Sequence, residues 1–126
     1  MKILGIGVDI IKNSRVKSLI RNKDFLKRTF GKKEIKTSLK LVSKTNFFAK
    51  RFAAKEAFAK TIGTGFRNNL NFKDIEILND KLGKPYYLKS KKIDDIINKK
   101  FKVKKYDLFL SISDEKDYSV AFTILQ

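Results

Sequence analysis

Two acidic side chains in this sequence lie among apolar neighbours, where an unpaired charge is costly. Asp9 follows Val8 and precedes Ile10, and burying its carboxylate costs free energy unless the group is paired, capped or bound to a metal ion. Glu56 lies at the margin of the apolar face of a helical pattern. Each residue also has a plainer interpretation, because Asp9 could cap a turn or helix and Glu56 could form a surface ion pair with Lys60. The two carboxylates are therefore candidates either for chemistry or for local structure.

The same helical pattern presents three cations ahead of a glycine-rich turn. Arg51, Lys55 and Lys60 precede Gly63-Thr64-Gly65. Magnesium prefers oxygen ligands and is usually held by one or two carboxylates together with substrate phosphates. The two acidic residues could hold such an ion, the cations could neutralise further phosphate charge, and the glycines would let a ligand approach the backbone. Together these residue types would suit a diphosphate substrate held with a divalent metal ion, although each is also common in ordinary structure.

The composition removes several other kinds of chemistry. The chain has no histidine and no cysteine, so the usual base at neutral pH and the thiolate ligands are both missing. Gly5-Ile6-Gly7 is not a dinucleotide-binding fingerprint, because position 10 is isoleucine and no βαβ alternation follows. The later glycine turn is not a P-loop, because it ends a helix and no Lys-Ser or Lys-Thr pair follows it. Catalysis must use carboxylates, lysines, hydroxyls or a hard metal ion.

The charge balance points to a polyanionic partner. The chain carries 30 Lys and Arg against 13 Asp and Glu, a net charge of +17, and a surplus of this size favours association with polyanions. Nucleic acid, phosphate-rich cofactors and acidic proteins all qualify, and part of the charge could simply be solvated. A basic nucleic-acid-binding α+β module is thus an alternative, although no RRM, KH or zinc-finger motif is present.

The cellular location follows from the N-terminal segment and from the lack of long apolar runs. Met1–Asp9 is too short and too soon acidic for a signal peptide. No apolar run approaches the roughly 20 residues that span a bilayer. We expect a cytoplasmic protein without a membrane partner.

The spacing of apolar residues predicts a single α+β domain over residues 1–126. Ile3–Ile11 is apolar and β-branched, which predicts a buried strand, and Ser14 could then cap a short helix. The strongest helix is predicted over Asn46–Ile62, ending at Gly63. The other predicted elements are a helix over Asp24–Phe30, strands over Phe72–Leu78 and Tyr86–Leu88, a helix around Ile93–Ile97, and strands over Tyr106–Ser113 and Tyr118–Leu125 joined by a turn at Ser113–Asp117. This order predicts a mainly antiparallel sheet packed on one long helix and shorter helices.

Three segments, taken together, match the pattern of a known family. They are Gly5–Ile11 with Arg15 downstream, Arg51–Gly65, and Leu110–Asp114 continuing through Tyr118. In this order and at this chain length they resemble the holo-acyl-carrier-protein synthases, the small members of the 4′-phosphopantetheinyl transferase superfamily. The resemblance implies that superfamily's fold. It also implies transfer of 4′-phosphopantetheine from coenzyme A to a serine of apo-acyl carrier protein, in support of fatty acid biosynthesis, with release of adenosine 3′,5′-bisphosphate.

The resemblance also implies roles for individual residues. It assigns Asp9 and Glu56 to magnesium, and these two residues together with Lys60 to catalysis. It implies a basic surface for the acidic carrier protein at Arg15 and Arg21, and a homotrimer with active sites at subunit interfaces. The residues that it places around coenzyme A are Arg51, Lys55, Lys60, Gly63, Thr64, Gly65, Lys84, Pro85, Ser113 and Asp114.

One position departs from the pattern of that family. The chain has Asp114 where the family usually carries histidine near the coenzyme, so an anion stands where a neutral or positive group is expected. Either Asp114 turns outward or a nearby cation such as Lys116 offsets its charge. Altered coenzyme affinity is the expected consequence, and a relative that binds coenzyme A or carrier protein without transfer is a further alternative.

Overall fold

A computed structural model describes residues 2–63 and 70–126 of the chain. The strands and helices follow one another in the order strand, four helices, hairpin, helix, hairpin. They are β1 (Gly5–Lys12), α1 (Asn13–Leu19), α2 (Lys23–Thr29), α3 (Lys32–Ser38), α4 (Thr45–Ile62), a 3₁₀ turn (Phe72–Asp74), β2 (Ile77–Asn79), β3 (Pro85–Tyr87), α5 (Lys91–Phe101), β4 (Leu108–Asp114) and β5 (Tyr118–Leu125). The predicted α+β class is confirmed.

The strands form two antiparallel sheets. β5 lies between β1 and β4 in a three-stranded sheet, and β2 pairs with β3 in a separate hairpin. Asp9 is opposite Ala121, which in turn is opposite Ile112 on β4. Because side chains alternate across a strand, the register places Asp9 on the same face as Gly7 and Ile11. That face carries the buried residues of the sheet and packs against α4.

Helix α4 is the centre of the core, and glycines let it approach β1 closely. A Cβ atom at Gly5 would collide with the Thr61 carbonyl, and one at Gly7 would collide with the Ala57 carbonyl and the Thr61 side chain. The alanines of α4 have short side chains, so the backbones of the helix and the strand can lie side by side. The Gly5-Ile6-Gly7 pattern therefore serves helix–strand packing. The buried apolar residues of α4 are Phe48, Ala49, Phe52, Ala53, Ala54, Ala57, Phe58, Ala59 and Ile62.

Most element boundaries agree with the predictions, and two points differ. Ser14 does not cap α1, because that helix begins one residue earlier and Lys12 occupies its N-cap position. The predicted strand from Phe72 starts as a 3₁₀ turn and becomes a strand only at Ile77. The long helix ends as predicted, with Gly63 in the left-handed conformation at φ 84°.

The outer face of the three-stranded sheet is apolar and exposed in the single chain. Ile6, Val8 and Ile10 on β1 are 52–63% exposed, and Phe122 on β5 and Phe109 on β4 are also exposed. The prediction of a buried strand at Ile3–Ile11 is thus wrong for the chain by itself, since only one face is covered. In the described residues, no helix combines the length and the apolar character that crossing a bilayer requires.

We expect Gly7→Ala to destabilise the fold by about 1–3 kcal/mol, because the added methyl group must push α4 away from β1. The free energy of unfolding from urea denaturation measures this change. Ser14→Ala is the control, because Ser14 is exposed and caps nothing, and it should change stability by less than about 0.5 kcal/mol. A Gly7→Ala variant as stable as the original chain would show that the helix and strand are not in the close contact described here.

Candidate active site

The packing of α4 on β1 brings Asp9, Glu56 and Lys60 together. The Lys60 ammonium donates to Asp9 Oδ1 at 3.2 Å and to the Val8 carbonyl at 2.9 Å. Glu56 lies one helical turn before Lys60 and is half-buried. The structure thus places on one surface the three residues that the sequence predicted to share a site.

The two carboxylates repel each other in a partly desolvated environment. Burial raises the pKa of the Asp9 carboxyl, with Lys60 and Arg15 opposing the shift. Burial also raises the pKa of Glu56, and the negative charge of Asp9 raises it further. Arg15 lowers the pKa of both groups, so this residue of α1 lies within electrostatic reach of the site. A cation bound between the carboxylates would relieve their repulsion.

The donor set agrees with a hard divalent ion that is shared with a substrate. Two carboxylates meet here, and among residues 2–63 and 70–126 no group of three or more His, Cys, Asp or Glu side chains converges. A cage made only of protein ligands is therefore not formed by the described residues. Two carboxylates match the number that magnesium usually takes from a protein when phosphate oxygens and water complete its shell.

Arg51 lies on a different face of α4 from Glu56 and lines a small cavity of about 120 Å³. Its guanidinium is buried, donates to the Asn79 side chain and to the Phe47 carbonyl, and lies 3.6 Å above the centre of the Phe47 ring. Burial lowers its pKa to about 10, so the group keeps its charge at neutral pH. Its Nε atom is buried and has no hydrogen-bond partner among the residues that the structure describes.

Several predicted coenzyme residues lie around the same cavity. Pro85 and Asp114 line it together with Lys50 and Arg51, whereas the exposed Lys84 and Ser113 are the chain neighbours of Pro85 and Asp114. Three distant segments of the chain are thus brought to one place.

Asp114 is held by a neutral partner. Its Oδ2 atom accepts a hydrogen bond of 2.8 Å from the Asn46 side chain, which also donates to the Glu115 carbonyl. Asp114 does not turn away from the cavity, and Lys116 is not the residue that holds it. It is the last residue of β4, so the turn begins after it and not at Ser113 as predicted.

The prediction that Lys55 contacts a coenzyme is wrong. Its side chain is fully buried, and its ammonium donates to Glu34 Oε1 at 2.7 Å and to the carbonyls of Phe72 and Ile75. All three N–H groups are therefore used inside the protein. The helical pattern could not show this, because the acidic partner lies 21 positions earlier in the chain.

The remaining predicted residues are placed as follows. Gly63 forms the C-cap of α4, while Thr64 and Gly65 lie outside the described residues. Arg15 and Arg21 are exposed and belong to α1 and the turn after it. Both arginines are thus accessible to a partner, and the carrier-protein surface expected there stays a prediction.

Asparagines that support the site were missed by the sequence analysis. Asn13 donates to the carbonyls of Glu115 and Lys116 and accepts from Ser119, which fixes the β4–β5 turn beside the end of β1. Asn46 and Asn79 hold Asp114 and Arg51 in a similar way. A lone asparagine gives little signal in a single sequence, because the same residue type is common in ordinary turns.

Comparison with known proteins decides the family. The family model described as "4'-phosphopantetheinyl transferase superfamily" matches residues 5–123. The chain belongs to this superfamily. It is 58% identical over 126 residues to the holo-[acyl-carrier-protein] synthase of Pelagibacter ubique, with 100% of this chain and 98% of the relative covered. The holo-[acyl-carrier-protein] synthase of Clostridium tetani is 47% identical, with 98% and 96% covered.

Solved structures of the superfamily have the same fold. The holo-[acyl-carrier-protein] synthase of Neisseria meningitidis aligns with a TM-score of 0.88 at 34% identity, covering 99% of each chain. The Bacillus anthracis synthase, solved in complex with CoA (3',5'-ADP), aligns with a TM-score of 0.81 at 35% identity, covering 98% of this chain and 96% of that one. The phosphopantetheinyl transferase fold that the resemblance implied is thus confirmed.

We expect Glu56→Gln to raise the melting temperature at pH 7 by roughly 1–3 °C in the presence of a chelator. The reason is that the pKa of Glu56 is raised on folding, so the charged form at neutral pH opposes folding. The gain should shrink as the pH falls from the raised pKa of the folded chain toward the ordinary glutamate value of 4.5, because Glu56 of the folded chain then takes up a proton and loses its unfavourable charge. Asp95→Asn, at an exposed position of α5, is the control. A lower melting temperature for Glu56→Gln at pH 7 would contradict the repulsion described above.

Proposed function

We propose that this chain transfers 4′-phosphopantetheine from coenzyme A to a serine of apo-acyl carrier protein. The observation that carries the proposal is that α4 presents two sites, the convergence of Glu56 and Lys60 with Asp9 and a separate cavity at Arg51. The carboxylates and Lys60 would bind the diphosphate of the coenzyme together with a metal ion. The Arg51 cavity would bind another anionic part of the same coenzyme. The similarity to named holo-acyl-carrier-protein synthases over the whole chain supports the same reaction.

The reaction forms one P–O bond and breaks another. The carrier serine oxygen attacks the phosphorus nearer the pantetheine arm, and the bond from that phosphorus to the bridging oxygen breaks. The products are holo-acyl carrier protein and adenosine 3′,5′-bisphosphate. The serine proton must pass to a base, and we assign this role to a carboxylate of the site, Asp9 or Glu56, or to a water beside them, because the chain has no histidine.

Asp9 and Glu56 would hold magnesium, which when bound supplies positive charge and a fixed orientation for the diphosphate. Lys60 is placed to stabilise negative charge that develops on the leaving side, because its exposed ammonium lies next to Asp9. Arg51, Lys84, Pro85, Ser113 and Asp114 would surround the rest of the coenzyme. Because the Asp114 carboxylate lines the same cavity as Arg51, anionic groups should bind there more weakly than they would with a neutral residue at position 114.

We assign the carrier protein to the basic surface around Arg15 and Arg21. Arg15 reaches electrostatically to both carboxylates of the site, so a partner bound at α1 could present its serine to them. An acidic partner would be attracted by the net charge of +17. We further propose a single domain over residues 1–126, working in fatty acid biosynthesis in the cytoplasm.

We propose that the exposed outer face of the sheet is covered by other copies of the chain, as in a homotrimer. Five large apolar side chains on three adjacent strands are exposed there, which is unusual for a surface that stays in water. The side chain of Lys60 borders the same face, in a hollow that it shares with Ile6, Val8 and Phe122. A neighbouring protomer on this face would therefore lie next to the candidate active site.

The transferase proposal is tested by mass spectrometry of apo-acyl carrier protein after incubation with the chain, coenzyme A and magnesium. We expect a phosphopantetheine mass increment that disappears with chelator and falls by at least about 100-fold in rate for Asp9→Asn and for Glu56→Gln. Lys105→Gln, at an exposed position outside the proposed site, is the matched control and should leave the rate unchanged. No increment with any bacterial carrier protein would overturn the proposal.

The assembly is tested by light scattering during gel filtration. We expect Phe122→Ser to shift the chain from an oligomer to a monomer, because it removes a large side chain from the centre of the apolar face. Val42→Ser is the control, since Val42 is fully exposed but lies in the loop before α4. A monomeric original chain at micromolar concentration would contradict the assembly and leave the transfer reaction to its own test.

A further inference from the structure

The buried ion pair between Glu34 and Lys55 is fully satisfied by hydrogen bonds. Both side chains have no exposed surface. Glu34 Oε1 accepts from Lys55 and from the backbone N–H of Gly31 at 3.0 Å, and Oε2 accepts from the N–H of Ile77 at 3.1 Å. Burial opposes both charges, since it raises the pKa of Glu34 and lowers that of Lys55. Burying the two charges costs desolvation free energy, and the hydrogen bonds from neighbouring groups offset part of that cost.

The pair is connected to the Arg51 cavity through β2. Ile77, which donates to Glu34, is the first residue of β2, and Asn79 is the last. Asn79 Oδ1 accepts from Arg51, and its Nδ2 donates to the Gly83 carbonyl at 2.9 Å. Asn79 and Gly83 both line the cavity. Hydrogen bonds at the two ends of β2, joined by the backbone of this three-residue strand, therefore connect the buried pair to one wall of the cavity.

A second contact anchors α3 to the same segment. Glu76 Oε2 accepts from the N–H of Lys33 at 3.0 Å, and the Glu76 side chain packs directly on Gly31. The segment before β2 is thus bound on one side to the first turn of α3 and on the other to Lys55 of α4. β2 and β3 form only a short hairpin, three residues on each strand. These contacts hold its β2 side, and the buried Tyr87 hydroxyl, bonded to Ala54 and Thr123, holds its β3 side.

We propose that Glu34 is a positioning residue for the coenzyme cavity, acting through Ile77 and Asn79. The inference rests on the proposed function for the identity of the ligand. Glu34 is too deeply buried to touch a substrate, and its effect is to hold the β2–β3 hairpin at the distance from α4 that leaves Arg51 and Asn79 bonded to each other. Loss of this support lets the hairpin move and lowers affinity for the coenzyme, while Asp9, Glu56 and Lys60 on the other side of α4 keep their arrangement.

The test compares two variants by steady-state kinetics with coenzyme A and apo-carrier protein. Glu34→Leu combined with Lys55→Met removes both buried charges together and keeps a similar volume, a replacement that folded proteins often tolerate. Asn79→Ala breaks the last link at an exposed position, so it remains folded if the double variant does not. For each we expect the coenzyme KM to rise about tenfold and kcat to change by less than about threefold. Amide hydrogen exchange over residues 77–87 should become faster in the double variant.

Ser90→Ala is the matched control for general loss of stability. Ser90 caps α5 by accepting from the Ile93 N–H, and α5 does not border the cavity. This variant should lower the melting temperature and leave the coenzyme KM unchanged. An unchanged KM in Asn79→Ala, or a double variant that loses stability without a change in KM, would overturn the proposal. If the original chain transfers nothing and binds no coenzyme A by calorimetry, the proposed function fails instead.

Discussion

The close approach of α4 to β1 is the constraint on which the rest of the structure depends. Gly5 and Gly7 have no side chains at the points where the helix backbone passes, so Thr61 and Ala57 can contact the strand directly. This contact brings Glu56 and Asp9 close enough to repel each other. The same packing removes part of the solvent that would otherwise screen them, and both pKa values rise. Electrostatic strain at the site is therefore a direct result of how the core is packed.

Helix α4 uses its cations for different purposes along its length. Lys55 satisfies a buried carboxylate, Arg51 links the helix to β2, and Lys60 reaches the solvent beside Asp9. The sequence spacing made these residues look alike, since all three lie within ten positions on one helix. What separates them is the partner that each one meets. Those partners come from α3, β2 and β1, which are distant in the chain.

The fold and the centre of the site were largely predictable from the sequence, because they depend on local patterns. The long helix is rich in alanine and ends at a glycine, and the β4–β5 hairpin alternates cleanly, so both were placed within two residues. The burial of Lys55 was not predictable, because it depends on Glu34 in a weakly patterned segment. The exposed outer face of β1 was also missed. An apolar run in a sequence predicts a strand, but it does not show whether the chain itself covers both faces of that strand or only one.

The contact between Lys60 and the Val8 carbonyl also affects whether a strand of another chain can pair with the edge of the sheet. β1 is an edge strand, since β5 pairs with only one of its sides, and its unpaired backbone groups could accept another strand from an unrelated chain. Lys60 occupies one of these groups, and its charge would have to be desolvated before a further strand could pair there. A lysine that serves a chemical site can therefore also discourage aggregation along the open edge.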